Sequence, residues 1–286
     1  MNKPKILLMP LGIGGEVEER LHGALSVAKR LDAHLRILYT SVSPQSVIPS
    51  EIAFMSKKVV EGLHNAFEQH VGVEEQRLKG LFVKACESFS IPVVDNVIAD
   101  GPSASWLEER GLRSGLVAQF GKVVDMNILA RPSSGRPTAS FEAAVLETGR
   151  PLLLIPRILK SFSLDRVMVS WNCSAESSRS LMLSLPLLQM AGQVIVVSKG
   201  ICAERNPGPQ AICDYLAAHQ VKASAKVLPR GKQVYKGETL LACAREFNAD
   251  LVVMGAYSKK RVQESVFGGV TQYMLAHADM PLFLSH

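Results

Sequence analysis

Four apolar runs recur in the same order in the two halves of the chain, and this repeat constrains the fold more than any other feature. Residues 5–10 (KILLMP) are answered by 166–171 (RVMVSW), and 34–40 (HLRILYT) by 193–198 (QVIVVS). Residues 124–131 (VDMNILAR) are answered by 249–255 (ADLVVMG), and 150–156 (RPLLLIP) by 280–285 (MPLFLS). Segments of helical period lie between the runs. Residues 16–31, for example, place Val17, Leu21, Ala24, Leu25 and Ala28 on one face. A strand, a helix and a second strand in succession imply parallel pairing, because a crossover must return the chain to the same end of the sheet. The repeat therefore reads as a duplicated domain.

Runs such as ILLM, VIVV and LVVM are apolar without alternation, which marks strands buried on both faces. The expected fold is α/β: two tandem, doubly wound, open parallel sheets with helices on both faces. At 286 residues, 47% hydrophobic and 20% charged, the chain can fill two ordinary cores. The copies differ in length, since Lys5 and Asp125 are 120 residues apart but Arg166 and Asp250 only 84, so the first copy carries about 36 more. These fall within about 43–90, where Phe54, Val59, Leu63 and Phe67, then Leu78, Leu81, Phe82, Ala85 and Phe89, recur at helical intervals and are expected to pack in the core. The division is a first domain at 1–156 with a helical insertion, a linker at 157–164, and a second domain at 165–286.

Several function classes drop out. No apolar run approaches the roughly 18 residues that span a bilayer, and the apolar N-terminal stretch is too short for a signal sequence, so neither a membrane partner nor export is expected. Five cysteines without CxxC spacing give neither a disulfide framework nor a zinc cluster and fit a reducing cytoplasm. His64 and His70 are six apart, on different faces of a helix, so no metal is expected there. The net charge of +6 belongs to the second half. Residues 1–156 hold 17 basic and 17 acidic side chains, and 157–286 hold 15 and 9. A basic excess suits nucleic acid, acidic lipid or a phosphate ligand.

In open parallel sheets ligands collect beyond the carboxyl ends of the strands, where helix N-termini present N–H groups. Gly12-Ile13-Gly14-Gly15 follows the first strand and resembles the opening of a dinucleotide fingerprint, but the match fails at Val17 and Asp32 precedes the second strand rather than ending it. A flexible turn is the preferred reading. The second half carries a stronger signal after 249–255: Gly255-Ala256-Tyr257-Ser258-Lys259-Lys260-Arg261, then Gly268-Gly269-Val270-Thr271 opening a helix. Glycines there let a backbone close on an anion. Lys222, Lys226, Arg230, Lys232 and Lys236 lie in and after the preceding strand, Ala223 to Leu228 (ASAKVL), and many of these charges are expected to converge on the same sheet edge; a solvated loop is the alternative. Aromatic interleaving is limited to Tyr235 and Tyr257, which favours a small phosphate-bearing ligand over nucleic acid.

With NADLVVMGAYS before this loop and HADMPLFL after it, the second half resembles a domain of the universal stress protein family, tandem two-domain type. Nucleotide-binding members of that family carry G-x2-G-x9-G-S/T after the fourth strand. Here the spacing is kept, as Gly255, two residues, Ser258, nine residues, then Gly268 and Gly269, but Ser258 replaces a glycine and Gly269 replaces the hydroxyl residue. The resemblance covers nearly all of 165–286. It implies an adenine nucleotide such as ATP or ADP, with Asn172 toward the nucleoside, where the family has an acid, and Gly255, Ser258, Gly268, Gly269, Val270 and Thr271 around the phosphates. Lys259 and Arg261 would add charge. Thr271 is two residues past the hydroxyl position and is expected to face differently.

The first half resembles the family through KILLMPL and GRPLLLIP, but Leu11 stands at the acid position and Pro132 and Pro137 interrupt the equivalent loop, removing N–H donors. No nucleotide is expected there. The function expected is a stress-response binding protein with a weakened site in the second half. The alternative is a scaffold or sensor that binds no nucleotide and acts through other proteins. No catalytic residue is assigned: Glu264 is the only acid in the loop, and the serines near Ser174 lack a partner histidine. The resemblance further implies pairing through the final strands, which in one chain gives a dimer-like monomer, with a larger homodimer left open.

Overall fold

The computed structural model describes residues 3–12, 16–41, 57–95, 97, 101–199, 204, 207–228, 236–257 and 269–286. The first half runs β1 (Ile6–Leu11), α1 (Val17–Leu31), β2 (His34–Ser41), α2 (Lys57–Phe89), β3 (Ser103–Arg110), α3 (Arg113–Phe120), β4 (Met126–Ala130), α4 (Ala139–Leu146) and β5 (Leu152–Ile155). The second half runs β6 (Arg166–Trp171), α5 (Ala175–Leu188), β7 (Gln193–Lys199), α6 (Pro209–Ala218), β8 (Ala223–Leu228), α7 (Lys236–Glu246), β9 (Leu251–Gly255), α8 (Gly269–His277) and β10 (Leu282–Ser285).

The strands form one ten-stranded sheet in the order β3-β2-β1-β4-β5-β10-β9-β6-β7-β8. Each half is parallel throughout, and the halves meet where β5 and β10 pair antiparallel, Leu152 opposite Leu284 and Leu153 opposite Phe283. The expected two sheets are therefore two halves of one mixed, mostly parallel sheet, joined by the final-strand pairing that the resemblance implied. The repeat is also visible in how the first strands begin. Asp125 accepts from Lys5 N and Ile6 N at 2.7 and 2.9 Å, and Asp250 accepts from Arg166 N at 2.8 Å. The same carboxylate thus anchors the same strand in each copy.

Alternate strand residues enter opposite cores. Leu7, Met9, Leu153, Val167, Val169, Val253 and Phe283 pack with α1, α2, α5 and α6 on one face. Leu152, Leu154, Met168, Val252, Met254 and Leu284 pack with α3, α4, α7 and α8 on the other. Both cores run across the seam between the halves. The segment 157–164 takes part as well, since Phe162 and Leu164 are buried in the first of them.

One strand went unread in the sequence, and one expectation needs correction. β3, in SASWLEER, was hidden among polar residues because it is an edge strand with one half-exposed end. The insertion is helical but only its second part packs. Leu78, Phe82 and Ala85 are buried, and Phe82 and Trp106 lie 5.5 Å apart between ring centres. Val59 and Leu63 are 47% and 42% exposed, because this 33-residue helix outruns the sheet that could cover it. Phe54 lies outside the described residues.

The β2–β3 pair buries His34, whose Nδ1 and Nε2 lie 2.8 and 2.9 Å from the hydroxyls of Ser103 and Ser105. Burial, then the charge of Arg36, lowers its pKa below the ordinary 6.5. The unfolded chain therefore binds a proton at pH values where the folded one resists it. The consequence is stability that is complete above about pH 6.5 and lost as pH falls below it, by up to about 1.4 kcal/mol per pH unit. Urea titrations between about pH 5 and 7.5 should show this slope flattened in His34→Gln; an identical slope in both proteins would remove the role.

Candidate functional site

The site expected from sequence lies at the carboxyl edge of the second half, where β6 and β9 are neighbours and the chain leaves them in different directions. Asn172 ends β6. Its side chain is exposed, and its Oδ1 accepts from Ser174 N at 3.1 Å, which turns the chain into α5. Ser174 and Ser177 then cap α5 reciprocally, Ser177 N donating to Ser174 Oγ and Ser174 N to Ser177 Oγ at 3.1 and 3.2 Å. The N-terminus of α5 is thereby satisfied from within.

Gly255 ends β9 against that capped turn. A Cβ on it would stand 2.6 Å from Ser177 N and 2.7 Å from the carbonyl carbon of Glu176. Close approach of strand to helix thus demands glycine at the first motif position. Ser180 Oγ donates to Met254 O at 3.0 Å and fixes the same contact one turn on.

Gly269, the first residue of α8, is exposed, and a Cβ there would meet nothing within 4 Å. The glycine is not required by space, and the position would accept the serine or threonine that the family pattern has. Val270 is half-buried and Thr271 is buried, with 8% of its surface exposed, so only their backbone is placed to serve a ligand. Ser258, Lys259, Arg261 and Gly268 lie outside the described residues.

Of the positive charges expected to converge there, the two whose side chains are described, Lys222 and Lys226, do not. Lys222 precedes β8, at the opposite end of the sheet from the site, and β8 is the outermost strand. Lys226 pairs with Glu246 at 2.9 Å. Arg230, Lys232 and Tyr235 lie outside the described residues, as does the side chain of Lys236. A cavity of about 320 Å3 lined by Arg245, Asn248, Ala249, Asp279 and Met280 opens at the amino end of β9 and β10, away from the site. Among the described residues no three His, Cys, Asp or Glu side chains could hold a metal, and no helix is long and apolar enough to cross a membrane.

The equivalent loop of the first half is used differently. Arg131 Nη1 donates to Ala276 O at 3.0 Å in the last turn of α8, where a cation also suits the helix dipole. Gly135, at φ 63°, leaves room for Ala276, whose Cα would be 3.1 Å from a Cβ there. From the other side, the Tyr257 ring lies 6.4 Å from Phe141 of α4 and 6.2 Å from His286. Each fourth-strand loop thus begins by bracing the other half. Burial, then Glu142, pushes the Tyr257 phenol well above its usual range, so it stays protonated. Sequence reasoning also missed a group of arginines at the carboxyl edge of the first half, Arg20, Arg113 and Arg157, whose Arg113 follows the unseen strand β3.

The sequence model of the universal stress protein family matches residues 202–286, which contain the whole loop. No curated protein matches the chain in sequence. Among solved structures, a universal stress protein from Archaeoglobus fulgidus superimposes with a TM-score of 0.65 at 13% identity, over 99% of this chain and 96% of that one. A functionally unknown protein from Pseudomonas aeruginosa superimposes with a TM-score of 0.54 at 12% identity, over 99% of this chain and 92% of that one. Residues 202–286 thus match the universal stress protein family, and the chain along its whole length shares the fold of the Archaeoglobus fulgidus universal stress protein.

Proposed function

We propose that the protein is a stress-response binding protein whose second half holds an adenine nucleotide, ATP or ADP, in a weakened site. The observation that supports this reading is the pairing of a sterically obligatory Gly255 with a helix N-terminus at Gly269 where, among the described residues, a side chain would meet nothing, at the two ends of a loop that keeps the family spacing. The backbone N–H groups at the start of a helix such as α8 favour a phosphate. Gly255, Ser258, Gly268, Gly269 and the backbone of Val270 and Thr271 surround the phosphates, Asn172 faces the nucleoside, and Lys259 and Arg261 add charge. The site is weak because Gly269 offers an N–H but no hydroxyl.

Calorimetric titration of the full chain with ATP tests this. Heat is expected, and Gly269→Ser is expected to tighten binding about tenfold, since a hydrogen bond to a charged group is worth about 1.5–3 kcal/mol and the space for it is vacant. No heat from either protein at millimolar ATP would leave the scaffold reading in its place.

A further inference from the structure

The proline-bearing loop that leaves β4 is tied together internally and ends against a helix of the other half. Arg131 N donates to Ile155 O at 2.8 Å, so the first residue past β4 still belongs to the sheet ladder. Gly135 N donates to Pro132 O at 3.1 Å and closes a turn, and Thr138 Oγ1 accepts from Phe141 N at 3.2 Å to start α4. Pro132 and Pro137 restrict the backbone on either side of that turn. From this frame the half-buried Arg131 extends its Nη1 to Ala276 O at 3.0 Å. Gly135 lies so close to Ala276 that a Cβ would stand 3.1 Å from both its Cα and its Cβ.

Ala276 is in the last turn of α8, and Gly269 is the first residue of that helix. Met274 and Leu275 hold α8 from the side by entering the core that Phe141 and Ala144 share. Apolar contact of this kind has no preferred direction. A hydrogen bond from a guanidinium to a carbonyl is directional and fixes the helix along its axis. Among the described residues two arginines make such a bond to α8: Arg131 from the first half, and Arg245 of α7, whose Nη2 donates to His277 O at 3.3 Å. Arg245 also pairs with Asp279 and its side chain is 53% exposed, so Arg131 gives the shorter and more enclosed of the two. A helix of 9 residues is a rod about 13 Å long, and a shift at Ala276 therefore reaches Gly269.

We infer that Arg131 and Gly135 of the first half are positioning residues for the site proposed in the second: they set where the N-terminus of α8 stands, and with it the affinity for the nucleotide phosphates. The inference rests on the nucleotide reading above. Pro132 and Pro137 take N–H donors away from the first-half loop but stiffen it, and the loop serves as a strut for the other half's site. A movement of β4 or its loop then reaches the ligand of the second half through Arg131.

Hydrogen exchange of the ligand-free full chain and calorimetry with ATP test this together. In Arg131→Met the α8 amides should exchange at least about fivefold faster while those of β1 and β6 keep the parent's protection, and the Kd for ATP should rise at least about fivefold. Gly135→Ala, whose methyl presses on Ala276 from a backbone at φ 63°, should do the same. Arg131→Lys keeps a cationic donor and should recover most of both effects. Arg136→Met removes the same charge from an exposed position of the same loop and should change neither. The inference is overturned if α8 exchange in Arg131→Met and Gly135→Ala matches the parent's, or if it rises equally in α8, β1 and β6, as a general loss of stability would make it. It is also overturned if the variants of a parent that binds ATP bind it as tightly, or if Arg136→Met weakens ATP as much as Arg131→Met. A parent that gives no heat with ATP removes the nucleotide reading; the exchange rates then decide the strut, in its favour if only α8 speeds up and against it otherwise.

Discussion

Phe283→Ala is expected to cost about 3–5 kcal/mol and to bring down both halves of the protein in one transition. Phe283 is 1% exposed and stands opposite Leu153 across the antiparallel seam, so its ring lies in a core that contains Leu7 and Met9 from one half and Val167 and Val169 from the other. Opposite residues in an antiparallel pair share a face. Truncation therefore opens a cavity that both halves line. The two tryptophans report on the halves separately, Trp106 in β3 and Trp171 at the end of β6. In Trp106→Phe and Trp171→Phe backgrounds, urea unfolding of Phe283→Ala should give coincident curves. A curve in which Trp171 responds well before Trp106 would show that the seam does not couple the halves. Val59→Ala is the matched control: at 47% exposure it should change stability by less than about 0.5 kcal/mol.

The contrast between Phe283 and Val59 shows what periodicity conveys. Unbroken apolar runs marked the central strands because such strands have no solvent face, and a period of two copies fixed their order. The edge strands were harder. β8 had been read from ASAKVL, yet β3 was not, because residues such as Glu108 and Arg110 sit where only one face needs to be apolar. Spacing along α2 could show that it is a helix, but not where the sheet beneath it ends. Val59 and Leu63 continue the stripe of Leu78 and Phe82 past the surface that buries the latter.

The site was legible in a similar, partial way. A glycine at a strand end can be recognised in sequence, but its reason cannot. Gly255 is excluded from bearing a side chain by a helix turn about 80 residues earlier in the chain, whereas nothing excludes one at Gly269. The arginines of the first half were invisible for the same cause. Arg20, Arg113 and Arg157 lie far apart in sequence, and only the parallel crossovers bring Arg20 and Arg113 to Gly12 and Arg157 to Glu16. Charge counting had pointed to the second half, where Lys222 and Lys226 turn out to stand away from the site.

Gly255→Ala should therefore do two things that Gly269→Ala does not. Its added methyl would lie 2.6 Å from Ser177 N, 2.7 Å from the Glu176 carbonyl carbon and 2.9 Å from Glu176 Cβ, atoms of a helix turn held by its own capping box. That backbone cannot rotate aside as a long side chain can, so β9 and α5 must separate, at a cost of about 1–3 kcal/mol. The same separation moves the strand end from which the loop of the proposed site departs, and any ATP binding there should fall at least about tenfold in protein that remains folded. Gly269→Ala meets nothing within 4 Å and should keep both stability and whatever ATP affinity the parent has. Urea melts and calorimetry on the two variants separate the cases. Equal behaviour would mean that Gly255 is held by chain conformation alone and that the close contact with α5 does not position the loop.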